Sequence, residues 1–240
     1  MRIVCVAILV LVLVSAPAIA VDGTSGEVDV VMRVVGESQP SLLGAFTVNA
    51  HIEFSGDSAR ITEKVSSASA EGSQEIAGLV DFLAGMELTT ILDGASRTAY
   101  VLDPRTKTAM RLASVDVNFP RAGGVGNPLE VLNPEAYPGE TTIKRAGKGK
   151  LHGKTYDRYV ITYQVGMVRG TVDVLVDKNG LPAYLEGKMA GQRFTAEFLN
   201  YRFHPISPER FRVPPDYQIV DLSEVANQVE DRLVKSLEEN

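Results

Sequence analysis

The sequence predicts a mainly β (α+β) fold, in which a single antiparallel sheet of about ten strands curls and is accompanied by two or three helices. Segment 46–54 alternates strictly between apolar and polar side chains over nine residues, as a half-buried strand does. The run Asp177-Lys178-Asn179-Gly180 predicts a tight hairpin, because Asn and Gly tolerate the positive φ angles that such turns require. No repeat of fixed period and no linker divides the chain, so we expect one domain.

Residues 1–20 predict a secretory signal peptide. Arg2 gives a positive start, residues 3–14 are apolar, and Ala18-Ile19-Ala20 offers small residues for cleavage. The apolar run is shorter than the roughly 20 residues that a membrane-spanning helix needs. We therefore expect an exported soluble protein, in the bacterial periplasm or secreted, whose mature chain 21–240 does not span the membrane.

The composition excludes several classes of function. The only cysteine, Cys5, lies within the predicted leader. The mature chain would therefore have no disulfide, no thiolate nucleophile, no cysteine metal ligand and no N-terminal cysteine for acylation. The net charge is −6, and removal of Arg2 with the leader makes it −7. This mild acidity argues against nucleic acid as a partner and against docking on anionic lipid.

Alternating patterns predict further strands along the chain. Turn residues separate them, and the run Lys148-Gly149-Lys150 is predicted as one hairpin tip. The predicted strands lie near 28–34, 46–54, 59–66, 88–92, 98–102, 108–112, 141–145, 156–165, 172–176, 184–189 and 193–203.

Three segments predict helices. Ser73 can cap a helix over 73–86 whose apolar stripe is Ile76, Leu79 and Leu83. A short helix is predicted from 127 to 134, with Pro at its first position. The segment from about 221 to 238 predicts an amphipathic C-terminal helix. A sheet of about ten strands must curl or split, and one that curls without closing leaves a concave apolar face for such helices to cover.

The order of these elements resembles that of the LolA/LolB-like superfamily of envelope lipid and lipoprotein carriers. The most distinctive residues lie in the last third of the chain: Asp177 at a strand end, the turn Gly180-Leu181-Pro182, and the segment Phe211-Arg212-Val213-Pro214. The resemblance implies an incomplete β-barrel over 21–240 with helices as a lid over an apolar cavity. It also implies a lipid, or the acyl chains of a lipoprotein, as the ligand. The chain differs from that pattern in having no Trp.

Apolar residues of the early strand and of the first helix are the candidates for a hydrophobic ligand groove. Those of the strand could equally form closed core, and both alternatives stay open. The helix is the better candidate for a lid, because Gly78 and Gly85 weaken it. The candidate groove residues are Phe46, Val48, Ile52, Phe54, Ile76, Leu79 and Leu83.

The polar residues predict no catalytic or metal site, and we expect no cofactor. The histidines, His51, His152 and His204, are scattered and lack the spacing of a helical metal pair. Asp103 and Asp177 fall at predicted turns, where Asp accepts hydrogen bonds from nearby backbone, and so does Asp57. Ser73 is interpreted as a helix cap, since no Gly-x-Ser-x-Gly elbow surrounds it.

Two functions remain. The first is a non-enzymatic exported carrier or binding protein for a lipid-like or acylated ligand. The second is an envelope protein-interaction or sensing module with the same fold, which would contact another envelope protein through the glycine-rich loop 123–126 or through a C-terminal helix over 223–237. A pair of converging ionisable groups on the concave face would be needed to revive an enzymatic alternative.

Overall fold

The structure is a computed structural model, and it describes residues 25–36, 45–56, 58–69, 87–93, 96, 98–112, 132, 134, 140–165, 168–189 and 192–221. These residues form twelve strands and one 3-10 turn. The strands are β1 Ser25–Gly36, β2 Ala45–Ser55, β3 Ser58–Ser69, β4 Glu87–Asp93, β5 Thr98–Asp103, β6 Thr108–Leu112, β7 Glu140–Leu151, β8 Lys154–Val165, β9 Val168–Val176, β10 Pro182–Met189, β11 Gln192–Phe203 and β12 Gln218–Asp221, and the 3-10 turn is Pro208–Phe211.

All twelve strands belong to one sheet, in the order β12-β6-β5-β4-β3-β2-β1-β11-β10-β9-β8-β7. Every pairing is antiparallel except that of β12 with β6. The two outermost strands, β12 and β7, do not pair with each other, so the sheet is not closed into a barrel. The predicted fold class, a mainly β sheet forming an incomplete barrel, is confirmed.

The two faces of the sheet differ because side chains alternate along each strand. We call "inner" the face that carries Val28, Val30, Met32 and Val34 of β1, and "outer" the face that carries Glu27, Asp29 and Arg33. A continuous hydrophobic cluster of buried residues covers the inner face and draws on β1–β5 and β8–β11. A sheet of this width must coil, and coiling toward the apolar face keeps that face from water.

The strand predictions are confirmed in position, and β12 was missed. The helices predicted over 73–86, 127–134 and 221–238 lie outside the described residues except at Leu132, Pro134 and Asp221. Leu132 is half-buried and packs against the inner-face cluster. Asp221, the first residue of the predicted C-terminal helix, is the last residue of β12, and its carboxylate accepts a hydrogen bond from Arg111 Nη2 at 2.6 Å.

The hairpin predicted at Lys148-Gly149-Lys150 is wrong, because β7 continues through these residues to Leu151. The pairing with β8 shifts register between Arg145 and Lys148. The turn lies instead at His152 and Gly153, with φ angles of 48° and 77°. Two consecutive positive φ angles are what a two-residue hairpin loop requires.

After β11 the chain crosses the outer face of the sheet. Its 3-10 turn lies against β3 and β4, and Phe211 in this turn is buried. Farther along, Val213 and Tyr217 pack on a second, smaller hydrophobic cluster formed by Ile91, Leu102 and Ala109. The Phe-x-Val-Pro segment therefore covers the outer side of β3–β6 before β12 adds to the edge.

We predict that Phe211→Ala lowers the free energy of unfolding by about 3 kcal/mol, because it removes a buried aromatic ring from this crossing. Urea denaturation followed by far-UV circular dichroism measures it. Arg212→Ala, which changes an exposed neighbour, is the matched control and should cost less than about 0.5 kcal/mol. Equal effects of the two variants would contradict a packing role for Phe211.

Candidate functional site

The groove residues predicted on β2 all lie on the inner face. Val48, Ile52 and Phe54 are at most 4% exposed, and Phe46 is half-buried at the end of the same row. A filled core and a covered ligand groove both require this burial, so the two alternatives stay open for these residues. Ile76, Leu79 and Leu83, predicted on the lid helix, lie outside the described residues.

Among the described residues, one buried carboxyl side chain stands within the apolar rows of the inner-face cluster. On β3 the residues that share the inner face are Ala59, Ile61, Glu63 and Val65, so a glutamate occupies a position where the pattern calls for an apolar residue. Glu63 is 6% exposed. Its cross-strand neighbours are Ala50 on β2 and Leu88 on β4, neither of which can pair with a carboxylate.

Burial raises the pKa of Glu63 from 4.5 to about 7. A carboxylate in an apolar environment is penalised relative to the neutral acid, and among the described residues no cation or hydrogen-bond donor offsets that penalty. Glu63 therefore changes its charge near neutral pH. A perturbed group of this kind within an apolar face marks a candidate functional site.

Around Glu63 the described inner face carries few other polar side chains, while Asp103 lies on β5 and the ion pairs of Arg145 and Lys148 with Asp157 lie at the edge formed by β7 and β8. Thr90 on β4 is 2% exposed. Near the opposite edge of the sheet, Thr141 of β7 is paired in register with Tyr163 of β8, and the buried Thr141 Oγ1 has no hydrogen-bond partner. Burial also raises the pKa of Tyr163. The face is thus apolar with isolated polar atoms, an arrangement typical of ligand sites that fix the orientation of an apolar molecule.

Aromatic rings line one end of the inner face. Phe54 meets Phe203 edge to face, with ring centroids 6.2 Å apart. Tyr201 stacks between Phe198 and Phe203 at 6.5 and 6.1 Å, and its hydroxyl donates a hydrogen bond to the Pro182 carbonyl at 2.8 Å. Phe203 is half exposed. A bulge in the pairing of β1 with β11 lies in this stretch, where Asn200 and Tyr201 together stand opposite Val28.

Two of the three histidines meet on the outer face, which the sequence spacing did not suggest. His51 lies between two carboxylates, with Nδ1 2.8 Å from Asp29 and Nε2 3.3 Å from Glu27. His204 Nε2 lies 3.5 Å from Glu27, which also binds Arg202. Burial raises the pKa of Glu27, but its interactions with Arg202, His51 and His204 outweigh it and hold the pKa below its usual value.

This arrangement is an ion-pair network across three strands, not a metal centre. The part of the chain that the structure describes contains no group of three His, Cys, Asp or Glu side chains placed to hold a metal ion. The remaining histidine, His152, pairs with Glu197 at 2.8 Å, away from the other two.

The turn role predicted for two aspartates is confirmed. Asp103 Oδ1 accepts from the Arg105 backbone N–H at 2.9 Å. Asp177 Oδ1 accepts from the backbone N–H groups of Asn179 and Leu181 at 2.8 and 2.9 Å. Asp57 and Ser73 lie outside the described residues. Within those residues, no helix has the length and apolar character that crossing a membrane requires.

No protein-family model matches the chain, and no curated protein does. Similar solved structures include the lipoprotein LppX of Mycobacterium tuberculosis, at 12% identity and a TM-score of 0.37 over 75% of this chain and 88% of that one. A domain named for outer membrane lipoprotein sorting, from Vibrio parahaemolyticus, matches at 10% identity and a TM-score of 0.35 over 78% of this chain and 89% of that one.

A chain of the MucA/MucB complex of Pseudomonas aeruginosa matches at 12% identity and a TM-score of 0.37, over 88% of this chain and 60% of that one. The matches include the kind of protein that the sequence resembles, a lipoprotein-sorting domain. At these TM-scores the likeness carries no argument about a ligand or an activity of this chain.

We predict that the stability difference between Glu63→Gln and the wild type depends on pH. Because the pKa of Glu63 is raised to about 7, the folded state binds a proton that the unfolded state has released between pH 4.5 and 7. The carboxyl contribution to stability is therefore complete below pH 4.5 and is lost as the pH rises through 7. Between pH 5 and pH 8 the variant should gain about 2–3 kcal/mol relative to the wild type.

Urea denaturation of both proteins at pH 5 and pH 8 measures this change. Glu87→Gln, at an exposed position on β4, is the control, and its difference from the wild type should stay constant within about 0.5 kcal/mol. A constant difference for Glu63→Gln as well would show that this carboxyl is not buried in an apolar environment.

Proposed function

We propose that the protein is an exported, non-enzymatic binding or carrier protein for a lipid-like or acylated ligand, which it holds on the inner face of the sheet. The observation that carries the proposal is the continuous apolar inner face of a sheet that is not closed. In a small closed barrel, side chains from all sides fill the interior. In a sheet with two separate edges, a helix of the chain or a bound ligand can supply the apolar groups that cover such a face.

The aliphatic chain of a ligand is well suited to supply these apolar groups. Each buried CH₂ group contributes about 0.8 kcal/mol, so one acyl chain along the inner face would be held firmly. The lining is aliphatic more than aromatic, with Val, Ile and Ala on β1 and β2, which matches the flexible shape of such a chain. The resemblance to envelope lipid carriers, noted from the sequence, supports the same class of ligand.

We predict that Ala50→Leu weakens acyl binding about tenfold, because extra methylene groups at a buried inner-face position compete with the ligand for space. Competition between dodecanoate and a fluorescent fatty acid measures the affinity, and thermal denaturation verifies that the variant is folded. Asn49→Leu, the adjacent exposed position on the outer face, is the matched control and should bind as the wild type does.

Unchanged affinity of folded Ala50→Leu would place the ligand elsewhere on the protein. The proposal as a whole is tested on the mature protein purified from an envelope fraction. We expect solvent extracts to contain a lipid in a near-stoichiometric amount. The absence of any extracted lipid, together with no binding of added acyl ligands, would overturn it.

A second function, interaction with another envelope protein, is favoured by the edge strand β7. No described strand pairs with its outer edge, so its backbone can accept an added strand. Exposed cations follow this strand, namely Lys144, Arg145, Lys148 and Lys150, of which Arg145 and Lys148 pair with Asp157 of β8. These charges also serve as ordinary protection of an edge against aggregation, but in an acidic chain they favour an acidic extended segment as the partner.

We predict that a photo-crosslinking residue at Thr142, exposed on β7, captures one dominant envelope protein in cells. The same residue at Thr171, exposed on the central strand β9, is the control and should not capture it. Identical crosslinking patterns at the two positions, or none at either, would argue against β7 as an interaction edge.

A further inference from the structure

Glu63 is enclosed by apolar neighbours on every side within the sheet. Ala50 and Leu88 lie opposite it on β2 and β4, and Ile61 and Val65 flank it on the same face of β3. The residue is 6% exposed, yet among the described residues none donates a hydrogen bond or a positive charge to its carboxyl group. Buried carboxyl groups in proteins are normally paired, so a missing partner at this position needs an explanation.

The charged groups nearest to Glu63 in the chain do not neutralise it. Lys64 points to the outer face, because side chains alternate between the two faces along β3. The neutral Thr62, on the other side of Glu63 in the sequence, points to the outer face for the same reason. The described inner-face residues of β2 and β4 carry no ionisable group. On β5, the strand beyond β4, the only such group is Asp103, whose carboxylate is held by Arg105. The Glu63 carboxyl therefore has no charged partner among the described inner-face residues of the neighbouring strands.

We propose that Glu63 is the polar anchor of the ligand site and selects an amphiphile that carries a protonated amine, whose ammonium group binds the Glu63 carboxylate. The inference rests on the proposed function and adds to it the chemical class of the ligand. The acyl or alkyl chain would lie along the adjacent inner-face residues of β2, among them Val48 and Ile52.

An ammonium group is the complement of this site for two reasons. It supplies hydrogen-bond donors and a positive charge to a carboxylate that otherwise has neither. It also lowers the penalty of burying a single charge, because an ion pair replaces an isolated anion. A fatty acid would place a second carboxylate beside the first, and a long-chain alcohol would offer one hydrogen bond and no charge.

Ionisation of Glu63 couples this binding to pH. The free protein holds the Glu63 proton below about pH 7, and formation of the ion pair releases that proton to solvent while the ammonium keeps its own. Amine affinity should therefore rise with pH until Glu63 is ionised. From pH 5.5 to pH 8 the fraction of ionised Glu63 increases about 30-fold, and the affinity should follow it.

Three probes of equal chain length test the proposal: dodecylamine, dodecanol and dodecanoate. Their affinities for the mature protein are measured by displacement of a fluorescent acyl probe at pH 5.5 and pH 8. For the wild type we expect dodecylamine to bind at least tenfold more tightly than the other two at pH 8, and about 30-fold more weakly at pH 5.5 than at pH 8. In Glu63→Gln this preference and this pH dependence should disappear, while Glu87→Gln should retain both.

The outcomes separate the two proposals. Equal binding of all three probes by wild type and Glu63→Gln would overturn the role of Glu63 and leave the carrier function intact. Tighter amine binding at pH 5.5 than at pH 8 would also overturn it, because the amine would then bind best where Glu63 is not ionised. Failure of every probe to bind would overturn the carrier function itself. The wild-type pH profile decides the question even if Glu63→Gln does not fold.

Discussion

The pairing of β1 with two partners at once is the constraint on which the rest of the sheet depends. β1 joins β2 on one side and β11 on the other, so it is the only described strand that connects the β2–β6 half to the β7–β11 half. Its inner-face residues Val28, Val30, Met32 and Val34 are at most 2% exposed. A slip of one residue in either pairing would turn these four side chains toward the outer face. The burial of the β1 residues therefore sets the register of β1 with β2 and with β11 at the same time.

The same alternation forces the carboxyl group of Glu63 into an apolar environment, which is unfavourable for the free energy of folding. The fold cannot turn this side chain outward without also turning Ile61 and Ala59 away from the cluster, so β3 keeps a carboxyl group against an apolar face. Outer-face carboxylates are placed differently. Glu53, also buried, receives two hydrogen bonds from Arg210, at 2.9 Å from Nε and 2.5 Å from Nη2. The contrast between a paired and an unpaired buried glutamate in one sheet is what singles out Glu63.

Local patterns were enough to predict most of the sheet, because strand position depends on period-two alternation and on turn residues. The sequence around β2 and the turn at Asp177 illustrate this. The turn at His152 and Gly153 was not predictable, since a histidine with positive φ carries no clear signal. The outer-face meeting of His51 and His204 depends on the pairing of β11 with β1, and no local pattern reports a contact between residues so distant in sequence.

The sequence predicted which residues of β2 share a face, and the groove role of those residues stays a prediction. The face of β2 was identified, whereas Glu63 was not singled out, although the series Ala59, Ile61, Glu63 and Val65 displays it as an interruption of an apolar row. Its significance depends on how deeply it is buried, and that depends on the whole sheet. The crossing of the outer face by the segment around Phe211 could not be foreseen either, since its contacts lie on strands more than a hundred residues earlier.

The parallel strand β12 imposes an order on assembly. It completes the edge of the half that is synthesised first, yet its residues are made after every other described strand. Until residue 221 has been synthesised, β6 has no neighbour on that side, and Ile91, Leu102 and Ala109 have no cover from Val213 and Tyr217. The edge of the early half is therefore completed only after the rest of the described chain has been made.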